Sequence, residues 1–372
     1  MSAPASAKGS MISRVGRLVF VIAAALLCGF IMTTFASEDP VGAFKILLTG
    51  AWPEISFEDG ELSIKRLTRV GSLLEDATTL TLLGLAVAIP FRAKQFTMGA
   101  DGQLFFGALA AGAVSMTLQG PSWVVLPAAC LAAMTSGFIW GLIPGALKAR
   151  FGTNEIVATL MLNVIALQFY RFCITYLLRD PTAGFITTGP FPEEALMPIL
   201  INRTNVTPVI FLAIAAAIIV WLIMRRTKTG FEINLVGENP RFAKYAGVPV
   251  RWATALSMGI GGIFAGLAGF HTANGLLKNL PMDLAPGIGF EGMVVALLAR
   301  NNPLAVPLVA LLYAYLRVGA QIMERSTDVT REMVMIIQAF IIIFVVAERF
   351  GPALFAKLFQ RKAKSSTTEV SA

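Results

Sequence analysis

The chain has 372 residues, of which 56% are hydrophobic and only 14% charged, and its mean hydropathy is +0.72. A soluble domain carries about 25% charged residues, so the composition excludes an ordinary soluble protein and places the chain in a lipid bilayer. The net charge of +8 does not indicate nucleic acid, because the basic residues stand at the ends of apolar runs rather than on a soluble domain.

The predicted fold class is all-α, a polytopic membrane protein of about ten helices. A spanning helix needs about 20 mainly apolar residues. The segments that qualify are 17–36, 70–91, 101–118, 123–146, 155–178, 207–224, 252–272, 288–299, 303–320 and 332–348. The run 288–299 is short for a full crossing and reads as a partial or broken helix. Lys8, Arg14 and Arg17 before the apolar run Leu18–Met32 resemble a secretory signal. A retained first span keeps the helix number even and agrees with the charge rule. Residues 37–69 read as a long external loop rich in acids and turn residues.

With the N-terminus inside, most of the 30 basic residues fall in inner segments, including "MRRTK" (224–228) and "RKAK" (361–364). The basic excess makes both termini cytoplasmic. The expected organisation is a tail at 1–16, one permease domain at 17–348 with a cytoplasmic loop at 225–251, and a tail at 349–372.

That loop contains "VGENPRFAKYAGVPV" (236–250). Asn239 is a helix cap, Pro240 a first helical residue, and Gly247 a stop sealed by Pro249. Phe242, Tyr245 and Ala246 recur at i, i+3 and i+4, which gives a small apolar face on about two turns of helix. So short a helix needs a surface to dock on. The residues leave two surfaces open: this chain's own helix ends, or a cytoplasmic partner.

Catalytic signatures are missing. No phosphate loop of the GxxxxGK[ST] type occurs, nor HExxH, nor GxSxG. No cofactor or metal site is expected. Cys28, Cys130 and Cys173 lie inside apolar runs and read as inert thiols, and His271 reads as a core histidine. The pairs Glu75/Asp76 and Glu193/Glu194 read as solvated helix ends. Polar residues in or beside spans are the functional candidates: Asp101 and Gln103, Asn154 and Glu155, Asn163, and Glu291. Asn163 admits two roles, an interhelical hydrogen bond or a path-lining amide. Arg171 reads as snorkelling outward. Gly137, Gly141 and Gly145, and likewise Gly262 and Gly266, are spaced for close helix crossing. The scarcity of intramembrane carboxylates argues against an ion-coupled carrier and favours a path driven by an external motor.

Four motifs in order, "FTMGADGQLFFGALAA", "GTNEIVATLMLN", "TGFEINLVGENPRFAKYAGV" and "GFEGMVVALLARNNPLAV", resemble the permease subunits of bacterial ABC importers. The match is to the simple sugar and nucleoside branch, similar to ribose and branched-chain amino-acid permeases, over about residues 70–320. The resemblance implies ten helices in two inverted halves and an inner-membrane location. The implied partners are ABC ATPase subunits, a second permease subunit forming a heterodimer, and an extracytoplasmic binding protein or lipoprotein. The implied cargo is a small polar molecule: nucleosides first, ribose-like sugars next, branched-chain amino acids third. ATP hydrolysis belongs to the ATPase, so this chain is not expected to be an enzyme. Gly237, Glu238, Asn239, Pro240, Ala243, Tyr245, Ala246 and Gly247 match the family's ATPase-coupling loop, with Phe242 among them. Where the family has Phe-Asn-Ile-Gly-Ala-Glu, this chain has Phe96-Thr97-Met98-Gly99-Ala100-Asp101. Thr97 therefore lacks the amide of the family's asparagine. A self-contained ion-coupled carrier is the rival reading.

Overall fold

The computed structural model describes residues 27–35, 37–52, 54–58, 61–65, 67–284 and 287–347, with side chains except at 54–58, 61–65 and 341–347. Both expected tails, 1–16 and 349–372, and residues 17–26 of the first expected span lie outside them. The regular secondary structure of the described residues is helical apart from one short hairpin, and the chain falls into two compact units.

The first unit gathers the start of the chain and residues from 316 onward. Residues 27–35 are helical, and α1 (Pro40–Thr49) follows. The segment 37–69, expected as a loop from its acids and turn residues, thus contains a helix. Asp39 accepts the Gly42 N–H at 3.0 Å, and Pro40 occupies the first helical turn, where its missing N–H costs nothing. Ala43 and Leu47 pack with Ala320, Met323, Val329, Val334 and Ile337. Those partners come from the end of α11 (Val306–Ser326), from α12 (Arg331–Ala347) and from the turn between them. The Ser37 hydroxyl and the Glu38 N–H both donate to Asp328, at 2.6 and 2.8 Å. These bonds hold its carboxyl below the usual range.

The second unit begins with β1 (Glu54–Glu58) and β2 (Glu61–Lys65), an antiparallel pair in which Ser56 faces Ser63. The sequence between them is Asp59-Gly60, a residue pair favoured in two-residue hairpin turns. The helices that follow are α2 (Leu67–Arg92), α3 (Ala100–Thr117), α4 (Ser122–Phe151), α5 (Glu155–Phe172) and α6 (Val209–Arg226). Three more are α7 (Lys228–Glu238), α8 (Pro240–Tyr245) and α9 (Val250–Phe270). The last of the unit is α10 (Ile288–Leu298). Two helices run on into π-helical turns, α5 through Cys173–Leu177 and α9 through His271–Leu277.

Among the described residues, six helices are long and apolar enough to cross a membrane: Leu67–Arg92, Ser122–Phe151, Glu155–Leu177, Val209–Arg226, Val250–Leu277 and Val306–Ser326. By this measure the chain is an integral membrane protein, and its fold is helical apart from the β1–β2 hairpin. The expected span 288–299 is α10, 11 residues and so about 16 Å long, well short of a bilayer core of about 30 Å.

The unit is organised around α9, nearly all of which is buried. Its partner α4 meets it along a ridge of small residues. Gly137 lies on the backbone of Gly262 and Gly266, Gly141 on the Met258 carbonyl, and Gly145 on Ala255. A Cβ added at Gly145 would stand 2.7 Å from the Ala255 Cα. Close backbone approach, rather than large apolar side chains, makes this contact, as is usual where lipid removes the hydrophobic drive for association.

Candidate coupling surface and translocation-path residues

One end of the second unit is built from the C-terminus of α2, the end of α4, the start of α5 and helices α7 and α8. Thr227 starts α7 by accepting the Gly230 N–H at 3.2 Å. Gly237, near its end, sits against the last carbonyl of α2; a Cβ there would collide with the Arg92 oxygen. Asn239 then turns the chain. Its Oδ1 accepts the N–H groups of Arg241 and Phe242, both at 3.1 Å, and Pro240 opens α8. Gly247 ends the turn at φ +79°, a conformation glycine adopts without penalty. Capping logic places Asn239, Pro240 and Gly247 correctly.

The face that α8 uses is different from the apolar face read in the sequence. Ala243 is fully buried, with Val236 and Ala253 around it. Phe242 is 58% and Tyr245 92% exposed, and Glu238, Ala246 and Gly247 are exposed with them. The helix is therefore anchored by one small residue and presents its two rings outward. Phe231 and Trp252 are also exposed, as are Arg241, Lys244 and Arg251. A cavity of about 460 Å³ beside α8 is lined in part by Lys94, Lys148, Pro240 and Arg251.

The path candidates converge on the start of α3. Asn163 donates from Nδ2 to the Met98 carbonyl at 2.6 Å and accepts the Gly102 N–H on Oδ1 at 2.9 Å. Of its two open roles, the interhelical hydrogen bond is the one formed. Thr159 accepts the Met98 N–H at 3.1 Å, and the Thr97 hydroxyl accepts the Gly99 N–H at 3.2 Å. Thr97 thus makes a hydrogen bond here without the amide. Together these side chains satisfy donors that a helix start leaves open. Asp101 is buried and accepts the Gly289 N–H at 2.7 Å, at the start of α10. Gln103 is buried beside Gly141. Glu291 lies partly buried in the first turn of α10. Asn154 caps α5, accepting the Ile156 N–H at 2.9 Å, and Glu155 pairs with Lys148 at 2.6 Å. Of the six candidates, Asp101 and Gln103 are buried and Asn163 is partly buried at one junction, Glu291 stands on α10 two residues after Gly289, and the exposed Asn154 and partly buried Glu155 open α5.

The sequence profile of the family described as branched-chain amino acid transport system, permease component, matches residues 70–346. The chain belongs to this permease family. It is similar to the guanosine ABC transporter permease protein NupP of Bacillus subtilis, at 35% identity over 95% of this chain and 100% of that protein. It is 33% identical to the glucose ABC transporter permease protein TsgB13 of Haloferax volcanii, over 90% of this chain and 88% of the other. With the nucleoside ABC transporter permease protein NupB of Lactococcus lactis the identity is 30%, over 94% and 97%. The chain is an ABC transporter permease.

Several polar groups of the permease escaped the sequence reading. Asn274, in the π-helical turn after α9, donates to Ser115 Oγ at 2.6 Å and to the Ala195 carbonyl at 2.9 Å. Its position past the nominal end of a span was the available signal, since π-turns often mark functional positions. His271 is buried with Nδ1 3.3 Å from the Thr207 hydroxyl, as a core histidine would be. Arg171 does not simply snorkel: it pairs with Asp283 at 2.7 Å. Glu75 is more than a solvated helix end, because it accepts the Asn205 N–H at 2.9 Å. Cys173 is buried, and Cys28 and Cys130 are partly so; all three are free thiols.

Asn163→Leu removes both bonds of the α3–α5 clamp while keeping volume. Stability should fall by about 1–2 kcal/mol, read as a lower unfolding temperature of the purified permease in detergent.

Proposed function

We propose that this permease works in an importer of the bacterial inner membrane that carries nucleosides. The observation that supports the cargo is similarity along nearly the whole chain, at 35% identity, to a guanosine permease protein, with a nucleoside permease protein also among the relatives. A simple sugar is the second reading, favoured by the glucose relative. This permease has about ten spans in two inverted halves, within a permease domain at 17–348 between cytoplasmic tails. The full assembly adds two ATPase subunits, a second permease and an extracytoplasmic binding protein.

The residues Gly237–Gly247 form the ATPase contact. Phe242 and Tyr245 enter a groove on the ATPase, Ala243 and Gly237 tie them to the ends of α9 and α2, and movement of the ATPase dimer passes through that tie into the bundle. Asp101, Gln103 and Asn163 shape the wall of the path by fixing the starts of α3 and α10, since Asp101 and Asn163 are already engaged with backbone groups. Asn154, Glu155 and Glu291 line its inner side.

The test is uptake of labelled guanosine, uridine and adenosine in a strain lacking this permease and in the same strain complemented, with unlabelled ribose and leucine as competitors. Uptake restored and blocked only by nucleosides supports the reading. Inhibition by ribose points to the sugar, and no difference between strains removes nucleosides. Uptake that fails when the proton gradient is collapsed at constant ATP would instead favour an ion-coupled carrier.

A further inference from the structure

Gln168 occupies an unusual place. It stands 13 residues after Glu155 in the continuous 23-residue span Glu155–Leu177, about 3 Å past the midpoint of that span. It is exposed and has no hydrogen-bonding partner among the described residues. Its neighbours on the same stripe of α5 are Val157, Met161, Val164, Ile165 and Phe172, all exposed.

Other outward faces of the bundle differ. The exposed residues of α6 between Phe211 and Leu222 are all apolar, as lipid requires. The exposed hydroxyl of Thr135 on α4 is satisfied by its own helix, donating to Leu131 and Ala132 carbonyls at 2.8 and 3.0 Å. A primary amide left in hydrocarbon costs several kcal/mol. Gln168 therefore does not face lipid acyl chains.

Its surroundings indicate what it does face. One turn further along, Arg171 pairs with Asp283, whose side chain is 73% exposed. An open ion pair of this kind needs water, so water reaches within about one turn of Gln168. Thr175 lies beyond it and Asn154 at the opposite end of the same stripe. Polar groups thus recur at both ends and the middle of an otherwise smooth apolar face.

We infer that this stripe of α5 lines a water-filled solute path and that Gln168 is its hydrogen-bonding station at mid-depth. The amide both donates and accepts, so it suits a neutral polar solute with hydroxyl or amide groups, the class to which nucleosides and sugars belong. The assignment rests on the importer reading.

The test places cysteine at this site in a chain whose three native cysteines are replaced by alanine, assembled with its ATPase and partner subunits in membrane vesicles. Gln168→Cys should react with a charged, membrane-impermeant methanethiosulfonate at least about tenfold faster than Ile218→Cys on the apolar face of α6, since thiolate forms only where water reaches. Excess uridine should slow that reaction. If Gln168→Cys is as inert as Ile218→Cys, or instead cross-links to the second permease under oxidation, the path assignment is overturned. The labelling rate needs no knowledge of the cargo, so a failure of the nucleoside reading leaves it standing. Gln168→Leu should also raise the KM for the transported solute about tenfold, the value of one hydrogen bond, with ATPase assembly unchanged. An unchanged KM would count against the station.

Discussion

Gly262→Leu is expected to abolish folded permease. A Cβ at this position would meet the Gly137 carbonyl, which is backbone of a neighbouring helix and cannot turn aside as a side chain can. The α4–α9 crossing has to open to admit it. Overpacking of this kind costs about 1–3 kcal/mol or more. Here the cost spreads, because Gly266 and Ala133 pack along the same line. In a bilayer, close packing is itself the cohesive force, so little remains to hold the helices once they part. The measurement is monodisperse permease recovered in detergent, with Gly120→Leu as the control, since nothing lies within 4 Å of a Cβ there. Equal recovery of the two variants would mean that the crossing is dispensable.

The second large effect concerns function with folding preserved. Replacing Phe242 and Tyr245 together by alanine should leave the permease at normal abundance, because neither ring is buried in this chain. Binding of the ATPase should fall steeply. Exposed aromatic anchors at an interface centre are worth about 2 kcal/mol each, so the pair corresponds to roughly a thousandfold in affinity. Co-purification of the ATPase and solute uptake should then be lost together. ATPase capture at wild-type levels would remove the docking role from α8. Ala243→Leu separates surface from scaffold: it disturbs the contact with Val236 and Ala253 and should lower stability as well as coupling.

Much of this was readable without coordinates. Hydropathy alone outlined the long helices to within a few residues, and it singled out 288–299 as too short. The caps at Asn154 and Asn239 and the left-handed Gly247 were also legible, because each depends on residues only a few positions away. The glycine ladders of α4 and α9 were visible as spacings, although nothing in the spacing said that the two ladders face each other.

Partnership was the part the chain did not declare. Asp101 looks like a functional carboxylate in its own motif, yet it is bonded to Gly289, 188 residues away. Asn163 has the character of a path-lining amide, yet both of its polar atoms are taken by the start of α3. Gln168, passed over among apolar neighbours, is an amide left open among the described residues. The turn of α8 was correct in sequence, but its buried side is Ala243 rather than the pair of rings.

The sequence by itself determined that the chain lies in a membrane, where its long helices run, how the loop at 236–250 is capped and stopped, and that it resembles an ABC permease. These follow from local chemistry: the free energy of apolar transfer along a segment and hydrogen bonds within about one helical turn. Only the tertiary structure decided which polar residues are spent on backbone and which remain available, and which faces point outward. A membrane helix is apolar on every side, so composition cannot distinguish a face against lipid from a face against protein. That distinction arises when helices pack, and it turned on glycine contacts and on two side chains bonded to backbone, Asp101 and Asn163.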